Sequence, residues 1–523
     1  MKIAAYNDAR PLLHSVPPDA HRGSPTTRSS YSMKQPAPKN TFPLVLCFLM
    51  AAVVASEAQT LQSFPLNGSD GASPYAALTQ GTNGNFYGPT WGGGGSGDII
   101  RVTPSGELTT VYQFCSQPNC ADGSLPYGGL MLASNGNFYG TTWGGGAGGG
   151  TIFQITENGK LKTIYSFSDQ AVDDAQEPMG TLAQDVRGYF FGTTRIGGSY
   201  GQGTVFQFTP ADGSVSIIYS FCSAGPPCPD GQQPLAGLTL GVNGYFYGTT
   251  SGGGINGVGT VFEITPYGRL TTLHSFCSLA ECADGGYPYD GLVLGTDGNF
   301  YGTTWGYGNS GTLFKITPEG NFTTPYRFCS LRKCSDGTHP FGGLIEGSDG
   351  NLYGTTSSGG INEPCPFVED SSGCGTVFQF SKAGVLSTLY NFCAGGLPCI
   401  DGIEPQANLV QSTDGSFYGS TFAGGGSSAC ASGCGTFFNL SMNLAPLIRF
   451  APGIGKPGDA VIILGKNLTG ATSVTFNGAA ASFEVISDTY IRARVPHTTT
   501  GKVVVNVGSE VLSSTSPFHI FLH

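Results

Sequence analysis

Three kinds of residue recur in this chain at spacings that could do chemistry: tryptophan, aspartate before glycine, and paired cysteine. The three Trp of the sequence, Trp91, Trp143 and Trp305, each follow a Tyr-Gly-x-Thr segment, and the same place elsewhere holds Arg195, Ser251, Ser357 and Phe422. A second aromatic set follows a recurring proline: Tyr75, Tyr127, Tyr289 and Phe341. Indole and phenol rings beside glycines stack on sugar rings or on hydrophobic ligands, so these seven residues are the candidate ligand-binding positions. The same rings also suit packing between sheets, and the sequence leaves both readings open.

Asp-Gly recurs at Asp122, Asp230, Asp284, Asp336 and Asp401, with Asp70 equivalent. A ring of carboxylates suits Ca²⁺ or acid chemistry. Asp-Gly is also a common turn in which the side chain accepts from nearby N–H groups. Six equivalent copies favour the turn, because an active site needs asymmetry. Glycine runs such as the one at 92–97 lie between strands and open no helix, so they are not phosphate loops. With no nucleophile elbow, His pair or metal motif, the sequence assigns no catalytic residue, no metal and no cofactor.

Of the 15 cysteines, Cys47 lies in an N-terminal leader and the other 14 form close pairs. These are Cys115 with Cys120, Cys222 with Cys228, Cys277 with Cys282, Cys329 with Cys334, Cys365 with Cys374, Cys393 with Cys399 and Cys430 with Cys434. Local pairs after an export signal read as disulfides. The rival is zinc. It would require pairs from separate repeats to meet, and the expectation is that they sit far apart. Each bridge closes a short loop and is worth about 2 kcal/mol, so the bridges staple loops without holding the core.

The elements that must position these residues are short strands in a repeat. An aromatic-aromatic-Gly core recurs at Phe86-Tyr87-Gly88, Phe138-Tyr139-Gly140, Phe190-Phe191-Gly192, Phe246-Tyr247-Gly248, Phe300-Tyr301-Gly302, Leu352-Tyr353-Gly354 and Phe417-Tyr418-Gly419, at spacings of 52 to 65 residues. Around each core the pattern predicts four alternating strands, which is one propeller blade. The fourth strand occurs six times, ending at Phe114, Phe167, Phe221, Phe276, Phe328 and Phe392, and its seventh copy is Leu61-Gln62-Ser63-Phe64 at the front. The fold class expected is therefore all-β: a seven-bladed β-propeller over residues 59–441, closed by the N-terminal strand, which covers an edge that would otherwise invite aggregation. Residues 445–523 contain no repeat and read as an independent immunoglobulin-like β-sandwich, with strands such as Ala460–Leu464 and Val503–Val507. In each blade the long variable loops, with the cysteines, Asp-Gly and Trp, share one face; the tight turns share the other.

Residues 1–58 read as a leader: Met33 as the start, Lys34 and Lys39, an apolar run from Phe42 to Ala55, and cleavage after Ala58. No later segment is apolar enough to span a bilayer. Net charge is −11, and the leader holds six Lys/Arg against three Asp/Glu, leaving about −14 on the rest. Such a body repels phosphate backbones and anionic lipid, which excludes nucleic acid as a partner.

The repeat resembles the GloVer tandem repeat of bacterial surface proteins through its Gly-Leu, Asp-Gly-Asn-Phe-Tyr-Gly-Thr-Thr, Gly-Thr-Val-Phe and Thr-Pro-x-Gly segments, over about residues 61–441. The tail resembles an IPT/TIG domain through Phe450-Ala451-Pro452-Gly453, Gly465-Lys466-Asn467-Leu468, Ser473-Val474-Thr475-Phe476-Asn477-Gly478, Ser487-Asp488-Thr489 and Ala493-Arg494-Val495-Pro496. The first resemblance implies extracellular display with no set activity; the second implies a spacer or binding module. The expected function is a secreted or cell-surface, non-enzymatic binding or adhesion protein whose partner is an extracellular glycan or surface protein. The alternatives are a secreted carbohydrate-active hydrolase or lyase using acidic residues of the loop face, and a structural surface component.

Overall fold

The computed structural model describes residues 60–521 apart from 69–70, 93–94, 171–173, 363–364 and 366–372, so the leader, its start and its cleavage site lie outside the described residues. Among the described residues regular structure is β, with four 3₁₀ turns. No helix among the described residues is long and apolar enough to cross a membrane.

The first complete repeat shows why these residues make sheets. Strands Thr79–Gln80, Phe86–Thr90, Asp98–Val102 and Leu108–Gln113 are hydrogen-bonded in that order. The turn between the first two is made by Asn83, whose side-chain oxygen accepts the Asn85 N–H at 3.0 Å, and by Gly84 at φ +80°. The registry Phe86↔Val102, Gly88↔Ile100 and Thr90↔Asp98 then follows. The same meander gives seven sheets between residues 60 and 441. One of them gains a fifth strand, Ala175–Pro178, paired with Phe190–Gly197.

Each sheet buries both faces, one on the sheet before and one on the sheet after. The aromatic-aromatic-Gly core does this. Its two aromatics alternate across the strand, so one ring points back and the other forward. Tyr87 meets Phe138 at 4.8 Å, Tyr139 meets Phe190 at 4.7 Å, Phe191 meets Phe246 at 4.3 Å and Tyr247 meets Phe300 at 4.0 Å. Tyr353 meets Phe417 at 4.2 Å, and Tyr418 meets Phe86 at 4.1 Å, which joins the last repeat to the first. The glycine that follows is required by its neighbours: at Gly140 a Cβ would stand 2.6 Å from the Phe153 ring.

The front of the array meets its end directly. Thr60–Pro65 pairs antiparallel with Thr436–Ser441, Leu61 opposite Leu440 and Phe64 opposite Phe437. The Phe64 ring lies over Gly106 of the first repeat, where a Cβ would overlap it.

The tail folds as two four-stranded sheets and a short parallel pair around Val461, Ile463, Val474, Phe476, Ile491, Val503 and Phe518. In Ala460–Leu464 the residues Val461 and Ile463 enter that core, while Ile462 and Leu464 pack with Tyr87, Leu132 and Phe138 of the repeats. The strand is apolar on both faces because both faces are buried. Polar contacts fix the same junction. Arg449 Nη1 donates to the Gln411 carbonyl at 2.7 Å, and Thr489 Oγ1 to the Thr82 carbonyl at 2.6 Å. The sandwich thus rests on the tight-turn side of the array and leaves the cysteine loops clear.

Deleting residues 59–66 exposes the edge of Thr436–Ser441 and removes Phe64 from its seat on Gly106. Circular-dichroism melting of the shortened mature chain is expected to show a lower Tm and earlier aggregation than the intact one; an unchanged Tm would contradict the role given to this strand.

Candidate functional site

The cysteines form seven local disulfides. Cys115 is bonded to Cys120, Cys222 to Cys228, Cys277 to Cys282, Cys329 to Cys334, Cys365 to Cys374, Cys393 to Cys399 and Cys430 to Cys434. One expectation about them needs correction. It is that all the pairs lie in separate repeats and so stand apart. Cys374 lies beside the Cys393–Cys399 bridge, the three sulfurs within 4.8 Å of one another. The Cys365–Cys374 bridge sits in a loop between the second and third strands of its repeat, which folds against that repeat's outer loop. All of these sulfurs are already bonded to sulfur.

In five bridges the second cysteine also holds the glycine-rich loop of the next repeat through its carbonyl. Cys120 accepts the Gly146 N–H, Cys228 the Gly254 N–H, Cys334 the Gly360 N–H and Cys399 the Gly425 N–H, at 2.8–3.0 Å. Cys282 accepts from the Asn309 side chain instead, at 3.0 Å. These five cysteines have φ between +49° and +56°, which aims the carbonyl across the loop face. Cys434 belongs to a glycine-rich loop itself, and its carbonyl accepts the Ser73 N–H at 2.9 Å.

The Asp-Gly carboxylates are latches. Asp122 is buried and accepts from the Ser116 N–H at 3.0 Å, the Ser116 hydroxyl at 2.8 Å and the Tyr112 hydroxyl at 2.8 Å. Asp336 does the same with Ser330 and Tyr326, Asp230 with Ser223 and Tyr219, and Asp401 with the Ala394 N–H and Tyr390. Each ties the outermost strand of a sheet to its disulfide loop. Burial alone would raise the Asp122 carboxyl, but the hydrogen bonds from Tyr112 and Ser116 hold it below the ordinary range. Burial pushes the Tyr219 and Tyr326 hydroxyls up to about 12. The loop after the second repeat has no cysteines, and there Asp174 accepts the Ser168 N–H at 2.9 Å; its Asp-Ala sequence gives no motif to find it by. Asp70 lies outside the described residues. In the fourth full repeat His274 replaces the tyrosine and meets Asp284 at 3.0 Å.

On this face the residue before the entering proline is Ser73, Leu125, Glu177, Gln233, Tyr287, His339 and Glu404 in turn, and all seven have φ between +53° and +59°. A non-glycine residue held there costs about 1–2 kcal/mol. The frame around it is main-chain. Ser73, Leu125, Gln233, Tyr287, His339 and Glu404 each accept, through the carbonyl, the N–H of the residue eighteen positions on: Trp91, Trp143, Ser251, Trp305, Ser357 and Phe422, at 2.9–3.1 Å. Between Glu177 and Arg195 the strands Ala175–Pro178 and Phe190–Gly197 pair directly, and the side chains add an ion pair of 2.7 Å.

The structure brings six of the seven expected aromatics together. Tyr75 stacks on Tyr127 at 4.8 Å and touches Phe422 at 4.8 Å, Trp91 at 6.1 Å and Phe341 at 6.3 Å. Tyr289 lies 5.2 Å from Phe341 and 6.1 Å from Trp305, and Trp305 covers His339 at 4.6 Å. Trp143 holds the equivalent place in the second repeat without a ring contact to this strip among the described residues. All seven are half-buried. Tyr287 and His339 extend the strip and were not legible as aromatic-set members, since they precede the proline rather than follow it.

Beneath the strip lies an axial cavity of about 70 Å³, lined by the small residues Ala76, Gly128, Gly180 and Ala236 and by Asp290. Small side chains let the inner strands converge; Asp290 is the exception in that series. Its carboxylate accepts the Gly291 N–H and, at 2.8 Å, the Gly343 N–H, and burial pushes its pKa up. The third and fourth repeats place polar residues here instead, the partly exposed Glu177, Arg195 and Gln233, with the buried Ser251 hydroxyl donating to the Gln233 carbonyl at 2.9 Å.

A family model for the Gloeobacter/Verrucomicrobia repeat matches residues 48–228 and 180–438, and the IPT/TIG domain matches 449–520. Among solved structures, the chain is similar to a fungal alcohol oxidase of the AA5 family in complex with copper, at 12% identity over 88% of this chain and 99% of that one, TM-score 0.45. It is also similar to the periplasmic gluconolactonase of Pseudomonas aeruginosa, at 16% identity over 64% of this chain and 95% of that one, TM-score 0.41. Comparison with curated proteins gives no match.

His274 provides a pH test of the latch. Burial, opposed by Asp284, holds its pKa below the ordinary 6.5, so the unfolded chain takes up the proton first. Stability from this residue is complete above pH 6.5 and is lost as pH falls towards the folded pKa. Urea unfolding of His274→Tyr, the residue of the sister repeats, is expected to show a flatter loss of stability below that pH than the parent; parallel profiles would contradict it.

Proposed function

The chain belongs to the Gloeobacter/Verrucomicrobia repeat family and ends in an IPT/TIG domain, and from that premise we propose a secreted or surface-displayed binding protein. Its repeats form a closed seven-bladed propeller that holds an extracellular glycan on its loop face. The observation that carries this reading is the strip from Trp91 through Tyr75, Phe341 and Tyr289 to Trp305, half-buried at the mouth of the axis. Pure packing would bury such rings completely, as it buries Tyr87, Tyr247, Tyr353 and Tyr418 between sheets. The pairing of Thr60–Pro65 with Thr436–Ser441 supports closure of the ring. Seven disulfides suit an oxidising compartment. The sandwich occupies the opposite side, so display through the tail would point the strip outward.

A second reading, a carbohydrate-active hydrolase or lyase, draws on Asp290, a partly buried carboxyl lining the cavity whose raised pKa suits a general acid. It requires that Asp290→Asn abolish turnover of a glycan the protein still binds.

A glycan array with the mature protein and Trp305→Ala separates ligand platform from core. The substitution is expected to weaken binding several-fold, since an aromatic contact is worth about 0.5–1.5 kcal/mol beyond its area, with little change in Tm. A stability loss of about 3–5 kcal/mol with unchanged binding by the folded fraction would place Trp305 in the core instead.

A further inference from the structure

We infer that the pre-proline residues, with their partners eighteen positions on, are the specificity-determining ring of this site, and that the ligand they suit is an uncharged polysaccharide chain lying across the mouth. The inference rests on the glycan-binding reading above and adds which residues select the glycan and how the chain lies.

The first observation is conformational. This chain uses glycine at more than fifty positions with positive φ, yet at this repeated place all seven residues carry a side chain. At Gln233 glycine would remove the backbone penalty and leave the frame intact, because the frame bonds of this residue use its main-chain N–H and carbonyl. For Gln233 these run from its N–H to the Gln202 carbonyl and from the Ser251 N–H to its own carbonyl. The Gln233 amide itself has no hydrogen-bond partner among the described residues. Glu177, His339 and Glu404 are held by Arg195, Ser358 and Gln406, whereas the Gln233 side chain is retained for what it presents outward.

The second observation is variation on a constant frame. Six of the pairs keep the same bond within 2.9–3.1 Å while the side chains run from Ser to Tyr and from Ser to Trp. Geometry is fixed by the backbone, and chemistry is left free to differ from repeat to repeat.

The third observation is the division of the mouth. One sector is aromatic, built around Tyr287, Tyr289, Trp305 and Phe341; the other offers Gln233 and the Glu177–Arg195 pair, while the buried Ser251 spends its hydroxyl on the Gln233 carbonyl. A sugar chain has matching halves: apolar C–H faces for the rings and hydroxyls for amides and carboxylates. Arg195 is occupied by Glu177, so this cation is not offered to an anionic polymer. The axial cavity, at about 70 Å³ beneath the rings, is too small to take in a sugar ring. The ligand is held across the surface by its middle rather than inserted by its end.

Calorimetry of the mature protein against neutral β-glucan, xylan and galactomannan, with polygalacturonate and a proline-rich peptide as contrasts, tests this. Parent, Trp305→Ala, Gln233→Gly and Glu404→Gly are compared for binding and for Tm. The expected result is binding to at least one neutral polymer, with affinity rising with oligomer length. Both glycine variants should bind about three- to tenfold more weakly, the equivalent of one lost hydrogen bond, with Tm equal to or above the parent. Glycine variants that bind like the parent while Trp305→Ala is weakened would remove the ring from the site and leave glycan binding standing. Glycine variants that lower Tm would make these side chains structural. Binding to polygalacturonate or the peptide in place of the neutral polymers would overturn the ligand class. No binding by the parent to any of them would overturn the glycan reading itself.

Discussion

Everything in the array depends on one contact: the ring of an aromatic-aromatic-Gly strand in one sheet against the matching ring of the next. A four-stranded sheet with two apolar faces has no stable existence alone, and this contact removes both faces from water at once. It recurs at 4.0–4.8 Å from Tyr87–Phe138 to Tyr418–Phe86. The glycine beside each pair admits the ring of the strand next to it in the same sheet, as Gly140 admits Phe153, so that the sheet can pack its rings on the next one and hold the loops above. The candidate site residues stand on loops, but the loops stand on this core.

Upon that scaffold a second layer of constant chemistry fixes the loops. Disulfides close them, the carbonyls of Cys120, Cys228, Cys334 and Cys399 tie them to the glycine-rich loops, and the buried Asp latches tie them to the outer strands through Tyr112, Tyr219, Tyr326, Tyr390 or His274. What remains variable is confined to a few positions per repeat whose backbones are pinned by main-chain hydrogen bonds. A site built this way is preorganised, so little ordering cost is left for the ligand.

Much of this was legible in the sequence, for physical reasons. Strand alternation, Asn-Gly and Asp-Gly turns, and the recurrence of Phe-Tyr-Gly specify local structure, and the cysteine spacing specifies local bridges. Three things escaped it. Ile462 and Leu464 read as one face of a sandwich strand, because a period of two does not say what lies beyond the second face. Asp174 escaped because it performs the latch without the glycine or the cysteines that mark the others. The pre-proline ring escaped because repeat analysis finds what recurs, and Ser73, Leu125, Glu177, Gln233, Tyr287, His339 and Glu404 share a conformation but not a residue type.

The three tryptophans of the chain all stand at the mouth and nowhere else, so intrinsic tryptophan emission reports on the loop face alone. Titration of the protein with the neutral polysaccharides proposed as its ligands is the most direct measurement of the central claim. A saturable shift or quench of emission, with the same midpoint as calorimetric binding, is the predicted result. Calorimetric binding that leaves the emission unchanged would place the ligand elsewhere and contradict the account.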